Sequence, residues 1–255
     1  GLMVSADALR TALSRVSVAM YTDDEYPHCA RPQLAGVYME VSLDGSLLLT
    51  ATDGKRLTHD ALRGSMSGVS RSWIFPAPAV ELLLKLLGKH PSGDIEFTWA
   101  QDMIRVALGP WRLFSRPVEG VYPEYRVALA QEGQGGFSAE VPVAALRGAA
   151  EQAARFFPKK APACVRLDFS PDNRLLMVAE SRDHGEMRVS MPVIGIAGAE
   201  LSQRFNPRFL AEALGTFDDA PGVVFQAPDY RKPALLKNGG AYRHFLMPLV
   251  IEESK

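Results

Sequence analysis

Several features that announce a function are missing from this sequence. No apolar run approaches the ~20 residues needed to span a bilayer. Asp7 and Arg10 interrupt any early apolar stretch, so the opening does not read as a secretory leader. Cysteine is scarce: Cys29 and Cys164 lie far apart and form neither a CxxC pair nor a His/Cys ligand spacing. His28 beside Cys29 lacks the second pair that a zinc site needs. Two cysteines in a chain this long fit a reducing cytoplasm better than a disulfide scaffold. Charge of one sign is also lacking, with 28 Lys and Arg against 29 Asp and Glu and a formal net charge of −1. Any nucleic-acid contact must therefore come from local charge distribution.

Catalytic signatures are missing too. Gly54-Lys55 lacks the upstream glycine and the following Ser/Thr of a phosphate loop, and there is no GxGxxG, GxSxG or HExxH. The histidines at 28, 59, 90, 184 and 244 show no metal-ligand spacing. His59 and Asp60 are adjacent, so in a strand they point to opposite faces and cannot form half of a triad. The carboxylate pairs Asp23-Asp24 and Asp218-Asp219 sit in turn-like contexts that favour solvation. The sequence gives no positive support for an enzyme, and it calls for no catalytic residue, metal or cofactor.

What is present is a globular composition, 47% hydrophobic and 22% charged, in a 255-residue chain long enough for two domains. Ser5 to Met20 reads as an amphipathic helix, with Ser5 as N-cap and Leu9, Leu13, Val16 and Met20 inward. Strands are expected at Ala35–Leu43, Ser46–Thr52, Leu57–Leu62 and Arg71–Phe75, the first two joined by an Asp44-Gly45 turn. A short helix follows at Pro78–Leu87, buried on Val80, Leu83, Leu84 and Leu87 and stopped by Gly88. Strands return at Asp94–Trp99, Met103–Leu108 and Trp111–Ser115. Gln131–Gly136 reads as a connection.

The second half repeats the plan. A helix is expected at Val143–Phe157 with Leu146, Ala149, Ala150 and Ala153 inward. Strands follow at Val165–Phe169, Leu175–Ala179 and Glu186–Val193, then a helix at Asn206–Phe217 capped by Asn206. Strands at Val223–Ala227, Ala234–Lys237 and Tyr242–Pro248 close the chain. Ala8-Leu9-Arg10 returns as Ala145-Leu146-Arg147, and Asp94-Ile95-Glu96-Phe97 as Gly222-Val223-Val224-Phe225. Phe75, Pro78, Leu82 and Leu86 pair approximately with Phe205, Pro207, Leu210 and Leu214. An offset of domain size implies duplication, with the helices of each half together on one face of a mostly antiparallel sheet.

Every helix leans basic in a chain that is slightly acidic overall. Arg10 and Arg15 outnumber Asp7, and Lys85 and Lys89 outnumber Glu81. Arg147, Arg155, Lys159 and Lys160 outnumber Glu151, and Arg204 and Arg208 outnumber Glu212. A shared helix face of this kind contacts phosphates without reading bases. Ordinary solvated helix charges remain the alternative.

Four segments carry a family resemblance. Leu49-Thr50-Ala51-Thr52-Asp53-Gly54-Lys55-Arg56-Leu57 resembles the ATDG[HK]RL segment in the middle domain of bacterial DNA polymerase III beta subunits, the sliding clamps. Val118-Glu119-Gly120-Val121-Tyr122-Pro123-Glu124-Tyr125-Arg126 resembles the segment that ends that domain. Phe205-Asn206 with Leu210 and Ala213-Leu214 resembles a helix of the last clamp domain. Met247-Pro248-Leu249 resembles the C-terminal MPM segment. The resemblance implies an α+β fold of two tandem clamp domains, residues 1–130 and 131–255, each with two helices packed on antiparallel β-sheet.

By resemblance, the chain is a cytoplasmic, non-enzymatic processivity and docking factor. It binds duplex DNA non-specifically and receives short linear motifs of polymerase and clamp-loader subunits in an interdomain groove. By position that groove uses Leu34, Thr52, Gly54, Lys55, Arg56, Leu57, Pro123, Val127, Met247, Pro248, Leu249, Val250 and Ile251. Its apolar members make an anchor pocket rimmed by Lys55 and Arg56.

The departures are also specific. The family's first domain has no counterpart, Val127 stands where many clamps carry a second Arg, and Glu252-Glu253-Ser254-Lys255 extend past the usual end. Gly1-Leu2 ahead of Met3 resemble an added leader on a piece of a longer protein. A homo-oligomer is expected, and a trimer would supply the six domains of a ring; a monomer or open dimer stays open. The alternative function is a clamp-derived regulatory or adaptor protein that does not encircle DNA.

Overall fold

A computed structural model describes residues 1–21, 31–90, 92–100, 102–158, 162–181 and 184–250. His28 and Cys29, Asp23-Asp24, and the tail from Ile251 to Lys255 lie outside the described residues. The chain divides into two compact units. The first is Gly1–Tyr125 with Ala241–Arg243; the second is Arg126–Gly240 with His244–Lys255.

The first unit opens with β1 (Leu2–Ser5) and α1 (Ala6–Val16). Ser5 caps α1 by accepting from the Ala8 N–H, and Asp7 in the first turn and Arg15 in the last complement the helix dipole. A single 3₁₀ turn, Ser17–Ala19, extends the helix as far as Met20. A second, Pro32–Leu34, precedes β2 (Gly36–Val41), β3 (Ser46–Thr52), β4 (Arg56–Arg63), β5 (Ser65–Met66) and β6 (Arg71–Pro76). Then come α2 (Ala77–Lys89), β7 (Asp94–Ala100), β8 (Met103–Leu108) and β9 (Trp111–Ser115). Strands of this unit run in the orders β5-β1-β7-β8-β9 and β4-β3-β2-β6. Among the described residues these strands pair antiparallel, and α1 packs on α2, β3 and β4.

The β2–β3 turn depends on glycine. Gly45 has φ 83°, and a Cβ there would lie 2.4 Å from the Gly64 carbonyl oxygen. Asp44 completes the turn by accepting from the Ser46 N–H at 3.0 Å.

The second unit opens with α3 (Arg126–Leu129), β10 (Phe137–Pro142) and α4 (Val143–Phe156). Next are β11 (Val165–Ser170), β12 (Arg174–Ser181), β13 (Gly185–Pro192), β14 (Ile194–Ala197) and β15 (Leu201–Phe205). It continues through α5 (Pro207–Gly215), β16 (Gly222–Ala227), β17 (Ala234–Lys237) and β18 (Arg243–Leu246). Asn206 caps α5 by accepting from the Arg208 N–H at 2.9 Å, and Pro207 fills the first turn. The strand orders are β14-β10-β16-β17-β18 and β13-β12-β11-β15, with α4 against α5.

These two orders reproduce those of the first unit strand for strand, so the duplication expected from the sequence is a duplication of topology. Leu9 and Leu146 are both fully buried at matched positions. Ser5 opposes Asp94 as Pro142 opposes Gly222.

The structure corrects several details. Helix α2 begins after Pro76 and α5 after Asn206, which sets Val80, not Leu82, in register with Leu210; Leu82 is 45% exposed and Leu210 is fully buried. Gly88 does not stop α2, which continues to Lys89 and is capped at His90. Leu2 is fully buried and pairs with Met66 and Phe97, so it packs as a core residue. Arg204 lies on strand β15 and not on a helix; Leu201, Gln203 and Phe205 of that strand are buried, so alternation turns Arg204 to the opposite face.

The corrected register has a measurable consequence. Leu210→Ala will cost about 2–5 kcal/mol in urea unfolding, and Leu82→Ala less than about 1 kcal/mol. Asp60, buried beneath α1, supplies a pH test. Burial raises its carboxyl above the ordinary 3.8, against the Ala61 N–H and the charges of Arg15 and Arg243. The folded state thus holds that proton more tightly than the unfolded chain does, and ionising Asp60 costs stability as pH rises above 3.8 through the folded value. Asp60→Asn will therefore melt higher than the parent at neutral pH, with the gap closing in acid below 3.8.

Candidate functional site

In the first unit the candidate residues converge on the corner between β3 and β4. Thr52 donates its Oγ1 proton to the Arg56 carbonyl at 2.7 Å and accepts from the Gly54 N–H at 3.1 Å. Asp53 Oδ1 accepts from the Lys55 and Arg56 N–H groups at 2.8 and 2.9 Å, while Oδ2 pairs with Arg56 Nε at 2.9 Å. Both charged side chains of that pair are buried. Gly54 is at φ 88°, a conformation that favours glycine. The ATDG(K)RL segment is thus a tight, internally bonded corner.

Only part of the expected rim is at the surface. Gly54 and Lys55 are exposed and Leu57 is half-buried. Arg56 is buried by its bond to Asp53, so Lys55 rims the corner and Arg56 does not, contrary to expectation. Leu34 is also buried, in the 3₁₀ turn before β2.

The segment from Val118 to Tyr125 covers the second face of this sheet. Val118 N–H donates to the Ile74 carbonyl at 2.9 Å. Tyr122 stacks flat on Tyr38, with ring centroids 4.7 Å apart and planes 7° apart, and donates its hydroxyl to the Thr50 carbonyl at 3.3 Å. Burial holds the Tyr122 phenol well above its ordinary range. Tyr125 stacks on His59 at 5.6 Å and donates to Glu40 Oε2 at 3.2 Å, while His59 Nδ1 and Thr50 Oγ1 are hydrogen-bonded at 2.9 Å. Pro123 and Glu124 stay exposed between the two tyrosines, and Val121 is 88% exposed.

In the second unit, Val127 on α3 is exposed, as are Met247, Leu249 and Val250 after β18, while Pro248 is buried. The Leu249 N–H donates to the Arg204 carbonyl at 2.7 Å, which ties this segment to β15. Arg204 lines a cavity of about 500 Å³ with Phe137, Leu201, Pro228 and Tyr230. Ile251 lies outside the described residues.

The expected basic positions differ in their surroundings. Lys85 and Lys89 on α2 and Arg155 on α4 are exposed. Arg10 is exposed but bonded to Asp7 at 2.8 Å. The Arg15 guanidinium lies 5.8 Å from the centre of the Tyr242 ring, and its carbonyl accepts from the Tyr242 hydroxyl at 3.1 Å. Arg147 is held between Glu151 and Asp218. Arg208 on α5 donates to the Pro158 carbonyl at 3.3 Å. Lys159 and Lys160 lie outside the described residues. Among the described residues, no group of three or more His, Cys, Asp or Glu is placed to hold a metal ion, and no helix is long and apolar enough to cross a membrane.

Asp53 organises the corner with three bonds, and Tyr38, Tyr122 and Tyr125 join the site although neither motif nor spacing marks them for a role. One signal was present: β2 alternates apolar residues inward, which leaves Tyr38 and Glu40 on the face expected to meet solvent.

Comparison with known proteins follows the same lines. The family described as DNA polymerase III beta subunit, central domain, matches residues 3–124. The beta sliding clamp of Lactococcus lactis is 24% identical over 201 residues, 79% of this chain and 50% of that protein. The beta sliding clamp of Staphylococcus aureus is 22% identical over 240 residues, 94% of this chain and 60% of that protein. The chain therefore spans little more than half the length of these relatives. Among solved structures, the DNA polymerase III subunit beta of Pseudomonas aeruginosa superposes with a TM-score of 0.86 at 26% identity, covering 97% of this chain and 66% of the other. The Bacillus subtilis DNA polymerase sliding clamp shares the fold at a TM-score of 0.88 and 20% identity, covering 98% and 64%.

The β3–β4 corner makes its own prediction. Asp53→Ala leaves the Arg56 guanidinium buried without its carboxylate and will lower unfolding stability by about 3 kcal/mol or more, read from chemical denaturation. A loss below about 1 kcal/mol would show that the pair does not organise the corner.

Proposed function

We propose that the chain is a member of the bacterial DNA polymerase III beta-subunit family, the sliding clamps, and acts as a processivity and docking factor with no catalytic step of its own. The observation that carries this reading is the clamp topology, present twice and superposing over 97% of the chain on a solved beta subunit. A clamp must hold duplex DNA without reading it, because base-specific contacts would stop it sliding. Exposed helix cations suit that task, and Lys85, Lys89 and Arg155 are the best presented of them. Arg204 is the least suited, because it projects from a strand.

Docking is the second part of the proposal. Short peptides of polymerase and clamp-loader type would place apolar anchors on Val127, Met247, Leu249 and Val250. The corner Thr52–Leu57 and Pro123 would supply rigid backbone and the Lys55 charge. Exposed Met and Leu in one short stretch are the kind of surface that accepts apolar anchors. On this proposal the protein works in the cytoplasm as a homo-oligomer.

Calorimetry of a peptide with apolar anchors against the intact chain tests docking. Leu249→Ala will weaken binding by more than about 1 kcal/mol; unchanged affinity removes Leu249 from the site. DNA binding will fall linearly with the logarithm of salt concentration, and converting Lys85 and Lys89 to Glu will make that slope shallower. A slope near zero in the parent chain would end the DNA half of the proposal.

A further inference from the structure

The segment Val118–Tyr125 does more than connect. Its backbone runs past β6 by the Val118–Ile74 bridge. It then turns at Gly120, whose φ of 129° strains any other residue and whose Cβ position faces Gln33 at 3.3 Å. Two residues later the Tyr122 ring lies flat on Tyr38, and three residues after that the Tyr125 ring lies against His59. Tyr38, Thr50 and His59 are cross-strand neighbours on β2, β3 and β4, so one row across the sheet receives both rings. Each tyrosine hydroxyl is then bonded to that sheet, to the Thr50 carbonyl and to Glu40. The residues between and before these anchors, Val121, Pro123 and Glu124, are left pointing to solvent.

An exposed apolar residue on a loose loop loses entropy when a ligand fixes it; one already fixed does not. The geometry points to Tyr38, Tyr122 and Tyr125 as positioning residues that hold Val121 and Pro123 as a rigid apolar lip beside the Thr52–Leu57 corner, preformed for an incoming peptide. This inference rests on the docking reading above. The tyrosines themselves contact no ligand: Tyr38 and Tyr122 spend their ring faces on each other, and Tyr125 is buried.

The test pairs amide hydrogen exchange over 119–125 with calorimetry of one apolar-anchored peptide, on the intact chain. Tyr38→Leu removes the stacking partner. Exchange over 119–125 will speed up in the free protein, peptide affinity will fall about three- to tenfold, and saturating peptide will restore protection. Tyr38→Phe keeps the stack and will stay within about twofold of the parent in both measurements. Tyr122→Phe keeps the ring, loses the bond to the Thr50 carbonyl, and will weaken binding about fivefold; it serves also if Tyr38→Leu fails to fold. Faster exchange with unchanged affinity overturns the inference, as does an equal loss in Tyr38→Phe and Tyr38→Leu. A parent chain that binds no such peptide overturns the docking reading and this inference together. Exchange would then still report whether the tyrosines fix the segment, which separates the two failures.

Discussion

A strand buried on one face needs one covering layer, and β3 has two. Leu47, Leu49 and Ala51 face the helices, while Thr50 and Thr52 on the other side are also buried. A polar row can be covered only if its hydrogen bonds are met, since an unpaired buried hydroxyl or carbonyl costs as much as the packing gains. Here the His59 ring and the Tyr122 hydroxyl meet those of Thr50, and the corner backbone meets those of Thr52. The segment that caps the second face is the one that leads into the second unit. The β3–β4 corner and the exposed Pro123 both follow from that double cover.

The same constraint explains where charge is placed. Asp53 and Arg56 are both buried and joined at 2.9 Å, and Asp53 also accepts two backbone N–H bonds. A buried pair adds little net stability over an apolar pair of the same shape, but losing one partner is expensive, so such a pair fixes geometry more than it adds energy. The surface pairs Arg10–Asp7 and Arg188–Glu186 carry no such obligation. Electrostatics in this protein thus divides into a buried part that shapes the corner and a surface part that solvent and ions can reach.

Much of the fold was legible because its signals are local and periodic. Helix α4 follows from Leu146, Ala149, Ala150 and Ala153 at helical spacing, and β8, β9 and β17 were read to the residue from their breaks. Strands β1, β5 and β14 escaped because runs of two to four residues carry too little pattern; long-range pairing makes them strands. The inward face of α2 was legible, with Val80, Leu83 and Leu87 buried, but its pairing with α5 slipped by two residues, because with five leucines in α2 only the N-terminal boundary decides that Val80 is the counterpart of Leu210. The site divided the same way. The family motif located the corner, but it does not say that Arg56 turns in to pair with Asp53, and the use of Tyr38 as a stacking platform depends on a segment some 80 residues away.

Ionic strength must act unequally on these features. Counterions gather around Lys85, Lys89 and Arg155, which stand in solvent, and added salt progressively cancels their field. They have no access to the Asp53–Arg56 pair, whose mutual attraction is set by the protein around it. The corner keeps its shape in brine as in dilute buffer while the field of the helix charges fades, so salt is a handle on the exposed charges that leaves the form of the corner unchanged.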